Sequence, residues 1–251
     1  MLELSIYNLL FYFVIYSFLG WTLEVSYAFY SQHKFVNRGF LNGPFCPIYG
    51  FGGLILIIFL NSFKNNLMLL FVFSVLLTSI LEYITGYILE TVFNTRWWDY
   101  DDNAYNIKGR VCLSFSLMWG AASVFIVKFV HPYVEIFTNK IPSSYEKVLF
   151  YLFITYFIVD LTATIISLIE FRKIIIQLEQ ISKEVKEKYS YLLEKTDVIE
   201  EPIKDLKIKY DNAIISIKTN HKRLLSAFPN LMSKSFDNLI KEIQNKLKFK
   251  K

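Results

Sequence analysis

The sequence predicts an all-α, polytopic transmembrane helix bundle of about five spans, followed by a cytoplasmic helical tail with coiled-coil character. Three observations predict it. The mean hydropathy is +0.35 and only 20% of the 251 residues are charged, a balance foreign to water-soluble domains. Apolar stretches long enough to cross a bilayer recur through the first two thirds of the chain. The charge then changes abruptly: residues 1–170 hold nine basic and eleven acidic side chains, net −2, whereas 171–251 hold eighteen basic and eleven acidic, net +7. The break near Phe171 separates a membrane bundle, 1–170, from a basic amphipathic helical tail, 171–251.

A span needs about 20 mostly apolar residues to cross about 30 Å of hydrocarbon. The first runs from Ile6 to Tyr30, without a basic leader region or a small-residue cleavage signal, and so reads as an uncleaved anchor. The second is the shortest: from Pro47 only a brief apolar run precedes Asn61, with Gly50, Gly52 and Gly53 inside it. A start at Gly43 would make it long enough to span; otherwise it is re-entrant. The third runs from Leu67 to about Glu90, the fourth from Val111 to Val130, and the fifth from Val148 to Ile169.

Basic residues collect on one side of such a topology. The loops after the first and third spans carry Lys34, Arg38, Arg96, Lys108 and Arg110, and the tail lies on the same side. The opposite side has little beyond Lys64, Lys140 and Lys147. The positive-inside rule therefore expects a multi-pass protein of the cell membrane with its N-terminus outside and its tail in the cytoplasm. Cys46 and Cys112, on the reducing face, are expected to remain unbridged.

Four acids interrupt the apolar spans: Glu24, Glu82, Glu90 and Asp160. A charge near the bilayer centre costs at least ~2.5–3.5 kcal/mol, so each needs a reason. Glu82, Gly86 and Glu90 are four apart and share one helical face, where Gly86 would admit a neighbouring helix. Glu82 and Asp160 read as lining a polar cavity or pathway. Glu24 and Glu90, nearer the span ends, fit that reading or simple pairing with Arg38, Arg96 or Lys128 equally well.

The two loops on the basic side are dense in special residues. The first reads Asn37-Arg38-Gly39-Phe40-Leu41-Asn42-Gly43-Pro44-Phe45-Cys46-Pro47, the second Arg96-Trp97-Trp98-Asp99-Tyr100 through Lys108-Gly109-Arg110. Trp97 and Trp98 alone fit an interfacial aromatic belt. The arginines and aspartates fit either a headgroup or phosphate site, with Arg donating in pairs, or an ion-pair network pinning the loops together. Arg38, Asn42, Cys46, Arg96, Trp98, Asp99, Tyr100 and Arg110 are the candidate loop-site residues, and Arg38 is expected to share one charged cluster with Asp99.

These stretches, with Gly20-Trp21-x-x-Glu24 and the Glu82…Glu90 span, resemble the bacterial Putative ABC-transporter type IV (CmpB-like) permease family over residues 8 to 130, Asp160 being similar to an acid in the family's next helix. The resemblance implies a transport role and a separate ATP-binding subunit. The chain has no G-x-x-x-x-G-K-[ST] phosphate loop with which to supply that work itself. It also has no G-x-S-x-G elbow and no H-E-x-x-H helix.

In the tail, Leu178, Ile181, Val185, Tyr189 and Leu192 recur before Pro202, and Ile203, Leu206, Tyr210, Ala213 and Ile217 then step by three and four. A last amphipathic run carries Phe236, Leu239, Ile243 and Leu247. Residues 218–251 hold nine basic and two acidic side chains, suiting a solvated hairpin or adhesion to anionic headgroups. Nucleic acid is not an expected partner, for want of aromatic interleaving and a recognisable module.

The first functional reading is an ABC permease-like component that moves or handles a polar or amphiphilic solute or lipid. The alternatives are a membrane-embedded enzyme acting on a lipid headgroup at the cytoplasmic face, and a non-catalytic scaffold or sensor. No catalytic residue, cofactor or metal site is assigned. The expected partners are the bilayer, an ATP-binding subunit and, through the tail, a second copy of the chain.

Overall fold

The structure is a computed structural model, and it describes residues 5–93, 96–194, 208–209, 212, 215–216 and 221–227. The chain divides into two compact units, Met1–Ile165 and Ile166–Lys251.

The first unit is helical throughout except for its loops. Helix α1 spans Ile6–Gln32, α2 Pro47–Leu60, α3 Leu67–Phe93, α4 Leu113–Phe125, α5 His131–Asn139, and α6 begins at Ser143 and runs to Glu194. A 3₁₀ turn, Asn61–Phe63, ends α2, and a π segment, Ile126–Val130, joins α4 to α5 into one apolar stretch, Leu113–Asn139. Pro132 explains the π segment: it lacks an N–H, and its ring would meet the carbonyl four residues back in a regular helix.

Among the described residues, four helical segments are long and apolar enough to cross a membrane: Ile6–Gln32, Leu67–Phe93, Leu113–Asn139 and Ser143–Leu178. The second expected span differs. Its helix begins at Pro47, not Gly43, and its 14 residues rise only about 21 Å. Proline at the first helical position is favourable because the missing N–H would be unsatisfied there anyway; Gly43 and Pro44 form bends, with the Phe45 N–H bonded to the Gly43 carbonyl, and only Cys46 is extended before the helix. The exposed faces of these helices carry Met68, Val72, Leu76, Ile80 and Ile84 on α3, and Val148, Leu152 and Val159 on α6. An apolar surface that continuous suits lipid rather than water.

Helix α1 packs on α2, α3 on α4, and α2 touches α3. One core cluster joins Tyr12 and Tyr16 of α1 to Ile57 and Val134, with the Tyr16 hydroxyl 3.0 Å from His131 Nδ1. A second joins Leu56 and Leu60 to Leu70 and Val127. The third positions the site: Leu41 and Phe45, both loop residues, are buried against Val14 of α1 and Phe153 and Phe157 of α6. Leu41 and Phe45 thus seat the end of the first loop in the bundle, while Phe35 at its start stays exposed.

The second loop holds a two-residue ladder within the otherwise α fold. Strand β1, Asn106–Ile107, pairs antiparallel with β2, Val111–Cys112, in the register Asn106 with Cys112 and Ile107 with Val111. Lys108 and Gly109 both take positive φ between the strands, as a type I′ turn requires.

The second unit contains the rest of α6 and a short helix α7, Lys222–Ala227. Helix α6 runs through Phe171 without a break. His221 is buried beside Ser167, 3.3 Å from its hydroxyl, and meets the Phe171 ring edge-on. Burial holds its imidazole below the usual pKa, partly opposed by the charge of Glu170. The expected seams at Ile203–Ile217 and Phe236–Leu247 fall mostly or wholly outside the described residues.

Candidate functional site

Three polar junctions join the loops to the helices. The deepest is at Asp160. It lies 17 residues into α6, about 26 Å along its axis, and is 7% exposed. One carboxylate oxygen accepts from the Asn42 backbone N–H at 2.9 Å and the Thr164 hydroxyl at 3.3 Å. The other accepts from the Gly43 N–H at 2.8 Å and the Tyr156 hydroxyl at 3.2 Å. The Asn42 side chain also donates to the Thr164 hydroxyl at 3.0 Å. Gly43 is glycine for space: a Cβ would run into the Tyr156 hydroxyl and sit 2.9 Å from Asp160 Oδ2. Asp160, an acid expected to line a pathway, also bonds the backbone of the first loop. Four donors satisfy a buried carboxylate without a countercharge.

The second junction is between the first loop and α1. Glu24 accepts from the Tyr49 hydroxyl at 2.7 Å and lies 3.4 Å from Arg38 Nε. The Arg38 guanidinium also stands over the Tyr27 ring. Cys46 is buried and free, caps α2 in extended conformation, and gives its N–H to the Ser17 carbonyl at 3.0 Å. Burial first, and the Glu24 charge second, push its thiol pKa up to about 12, so it is no nucleophile at neutral pH. Cys112, the cap of α4, is also free and buried.

The third junction covers one face of α3 with the second loop. Glu90 accepts from Arg110 Nε at 2.9 Å and from Arg96 Nε at 3.1 Å. Arg96 continues to Asp101 at 2.6 Å and Asp99 at 3.3 Å; the hydrogen bonds it donates to Glu90 first, and to Asp101 second, hold its pKa above the ordinary arginine range. Arg110 lies over the rings of Tyr83 and Tyr87, and its carbonyl accepts from Trp98 Nε1 at 2.8 Å. Gly86 sits under this lid: a Cβ there would be 3.2 Å from the Trp98 ring and 3.5 Å from Arg110. The close approach expected of a neighbouring helix is made by the loop. Nearer the middle of α3, the Tyr100 hydroxyl donates to Glu82 Oε1 at 3.0 Å, and its ring stacks on Phe115. Burial, then the charge of Glu82, raises the Tyr100 hydroxyl pKa.

The loops meet, but through rings. Phe40 lies against Trp97, their centroids 6.3 Å apart, whereas the ion partner of Arg38 is Glu24 and that of Asp99 is Arg96. The single charged cluster expected of Arg38 and Asp99 is not formed, because each finds an opposite charge nearer in its own segment. Among the described residues Lys128 pairs with none of the four acids. Tyr49, Tyr83, Tyr156 and Thr164 complete these junctions without having been singled out from sequence. Two of them carried a signal, since Tyr156 and Thr164 flank Asp160 four residues away on the same helical face.

Long apolar helices, with loops that bond back onto acids of those helices, define a helical membrane protein. The chain belongs to the family described as Putative ABC-transporter type IV, whose match covers residues 11–165. No curated protein and no solved structure matches the chain.

Proposed function

We propose that the chain is the membrane-embedded, permease-like component of a transport system that moves or handles a polar or amphiphilic solute or lipid. The observation that carries this reading is the first loop, whose backbone N–H groups reach Asp160 far from either end of the apolar part of α6. Backbone that irregular is tolerated at membrane depth only where protein buries it or a path runs beside it. Segment Pro47–Phe63 then completes a fifth crossing, both polar loops lie on the cytoplasmic side with the tail, and the N-terminus lies outside. Residues 1–170 form the transport bundle. The basic tail, 171–251, rests on anionic headgroups or a second copy of the chain. Glu24, Glu90 and Asp160, with Arg38, Asn42, Arg96, Asp99 and Arg110, hold the loops in place, while Glu82 and Tyr100 face the solute path. A lipid-headgroup enzyme would need Arg38, Asp99 and Arg110 around one pocket; the separate ion pairs of Arg38 and Asp99 favour transport over that reading.

Family membership supports a separate ATP-binding subunit. Purification from native membranes in mild detergent tests this, with co-purifying subunits and lipids identified together. The expected result is a phosphate-loop ATPase in stoichiometric amount, whose hydrolysis rises when the chain is present. A folded chain that never retains such a subunit, and never changes the rate of any ATPase encoded beside it, refutes the reading.

A further inference from the structure

Residues 20–46 and 86–112 carry one pattern at a constant offset of 66 positions: Gly20 and Gly86, Leu23 and Leu89, Glu24 and Glu90, Asn37 and Asn103, Gly43 and Gly109, Cys46 and Cys112, with Trp21 matched by Tyr87. The structure repeats with it. Each cysteine caps a helix in extended conformation, and the helices begin at the next residue, Pro47 and Leu113. Each glutamate pairs with an arginine from the loop that follows it, Glu24 with Arg38 and Glu90 with Arg110. Helix α1, its loop and α2 are one copy of a two-helix unit; α3, its loop and α4 are the other.

Comparing the copies separates what is shared from what is not. The shared acids are countercharged, so they belong to the scaffold. Asp160 lies outside the repeat and has four donors. Glu82 is different. Its counterpart in the first copy is Tyr16, a buried phenol bonded to His131. Glu82 itself is 8% exposed, makes no ion pair among the described residues, and has one donor, the Tyr100 hydroxyl on Oε1. Its Oε2 is buried with no hydrogen-bond partner among those residues. An intramembrane carboxylate left so bare costs several kcal/mol (~2.5 or more) unless something neutralises it.

We propose that Glu82 binds one positive charge from outside the chain, a proton or a small monovalent cation, at the contact of α3 with Tyr100; the use of that charge in solute movement rests on the transport reading. A single charge is what the chemistry fits. One carboxylate and one phenol oxygen offer too few hard ligands for a divalent ion, and no group of three or more His, Cys, Asp or Glu suited to a metal occurs among the described residues. The titratable groups around the site are Tyr100, Cys112 at the head of α4, and Glu24 with Tyr49 from the first copy, all of which interact electrostatically with Tyr100. None of them is cationic, and Arg110, the cation described over the same face of α3, is engaged by Glu90, so the charge is taken to come from solution.

The test uses the purified full chain in lipid nanodiscs, with Glu82→Gln and Tyr100→Phe beside it. In the proton arm, infrared difference spectra across a pH titration should show the carbonyl stretch of one protonated carboxyl, absent in Glu82→Gln and shifted in Tyr100→Phe, where its donor is gone. In the cation arm, titration with KCl and with NaCl at fixed ionic strength should show one equivalent bound, lost in Glu82→Gln. Either arm positive, with variants that melt like the parent, supports the site and names the ion. If neither arm gives a signal that Glu82→Gln removes, the inference is overturned, even where an ATP-binding subunit still co-purifies and the transport reading stands. A Glu82-dependent signal without any such subunit leaves the site standing and the transport reading refuted.

Discussion

Replacing Asp160 with asparagine should free the first loop without unfolding the bundle. The carboxylate accepts two backbone N–H bonds, at 2.9 and 2.8 Å, and asparagine keeps one acceptor oxygen while turning the other position into a donor. One amide, of Asn42 or Gly43, then faces an N–H group. Losing one bond to a charged acceptor costs ~1.5–3 kcal/mol, and the orphaned buried donor ~1–3 kcal/mol more. At the low end the sum is ~2.5 kcal/mol, just under two decades in the docking equilibrium of the loop. Global stability should respond far less, because the neutral side chain no longer carries the ~2.5–3.5 kcal/mol cost of a charge at that depth. Hydrogen exchange followed by mass spectrometry distinguishes the two effects. Peptides covering residues 37–46 should exchange about a hundredfold faster in Asp160→Asn, while the melting temperature in detergent moves by only a few degrees (~2–4 °C). Gly43→Ala should give the same local acceleration, since its Cβ meets Tyr156 and Asp160. Parent-like protection of 37–46 in both variants would refute the docking of the loop on Asp160.

Double-mutant cycles separate the ion pairs. Glu90→Gln with Arg110→Ala should couple by ~1–3 kcal/mol in thermal stability, since Arg110 is only 13% exposed; Arg38→Ala with Asp99→Ala should couple by nothing measurable, and any sizeable value would restore the single cluster. Gly86→Leu should displace the second loop, read as a red shift and faster quenching of tryptophan emission as Trp98 leaves α3; an unchanged spectrum would mean that the loop does not lie on Gly86. His221 gives the pH dependence. Its pKa is depressed in the folded state, so the unfolded chain binds protons more readily: the stability of the second unit is full above the usual imidazole range, near ~6.5, and falls as pH drops through it. Limited proteolysis around α7 should therefore quicken between pH ~7.5 and ~5.5, and lose that dependence in His221→Gln.

The helices were legible because hydropathy and length report burial in lipid directly: the starts expected at Ile6 and Leu67 are those observed. The pairings of Glu24 with Arg38 and of Glu90 with Arg96 were legible as opposite charges near one end of a span. What satisfies Asp160 was not, because the decisive donors are backbone N–H groups, which every residue except proline carries and no side-chain pattern marks. The late start of α2 is the same matter: the Asn42 and Gly43 amides bond to Asp160 instead of entering a helix. The 66-residue repeat was open to reading, since Gly-x-x-Leu-Glu occurs at both Gly20 and Gly86. Its meaning needed the structure, where Glu24 and Glu90 share a role and Glu82 stands apart.

The insertion of the first loop is the claim on which the rest depends, and cross-linking tests it most directly. Asn42 and Thr164 touch through their side chains, 3.0 Å apart, with 122 residues between them in sequence. In a background carrying Cys46→Ser and Cys112→Ser, the pair Asn42→Cys and Thr164→Cys should form a disulfide in native membranes under mild oxidation. In the same background, a thiol introduced at Leu41, which is 1% exposed, should also resist a membrane-impermeant maleimide. Absence of the cross-link, with full-rate labelling of position 41 from the aqueous phase, would place the loop outside the bundle and contradict the account.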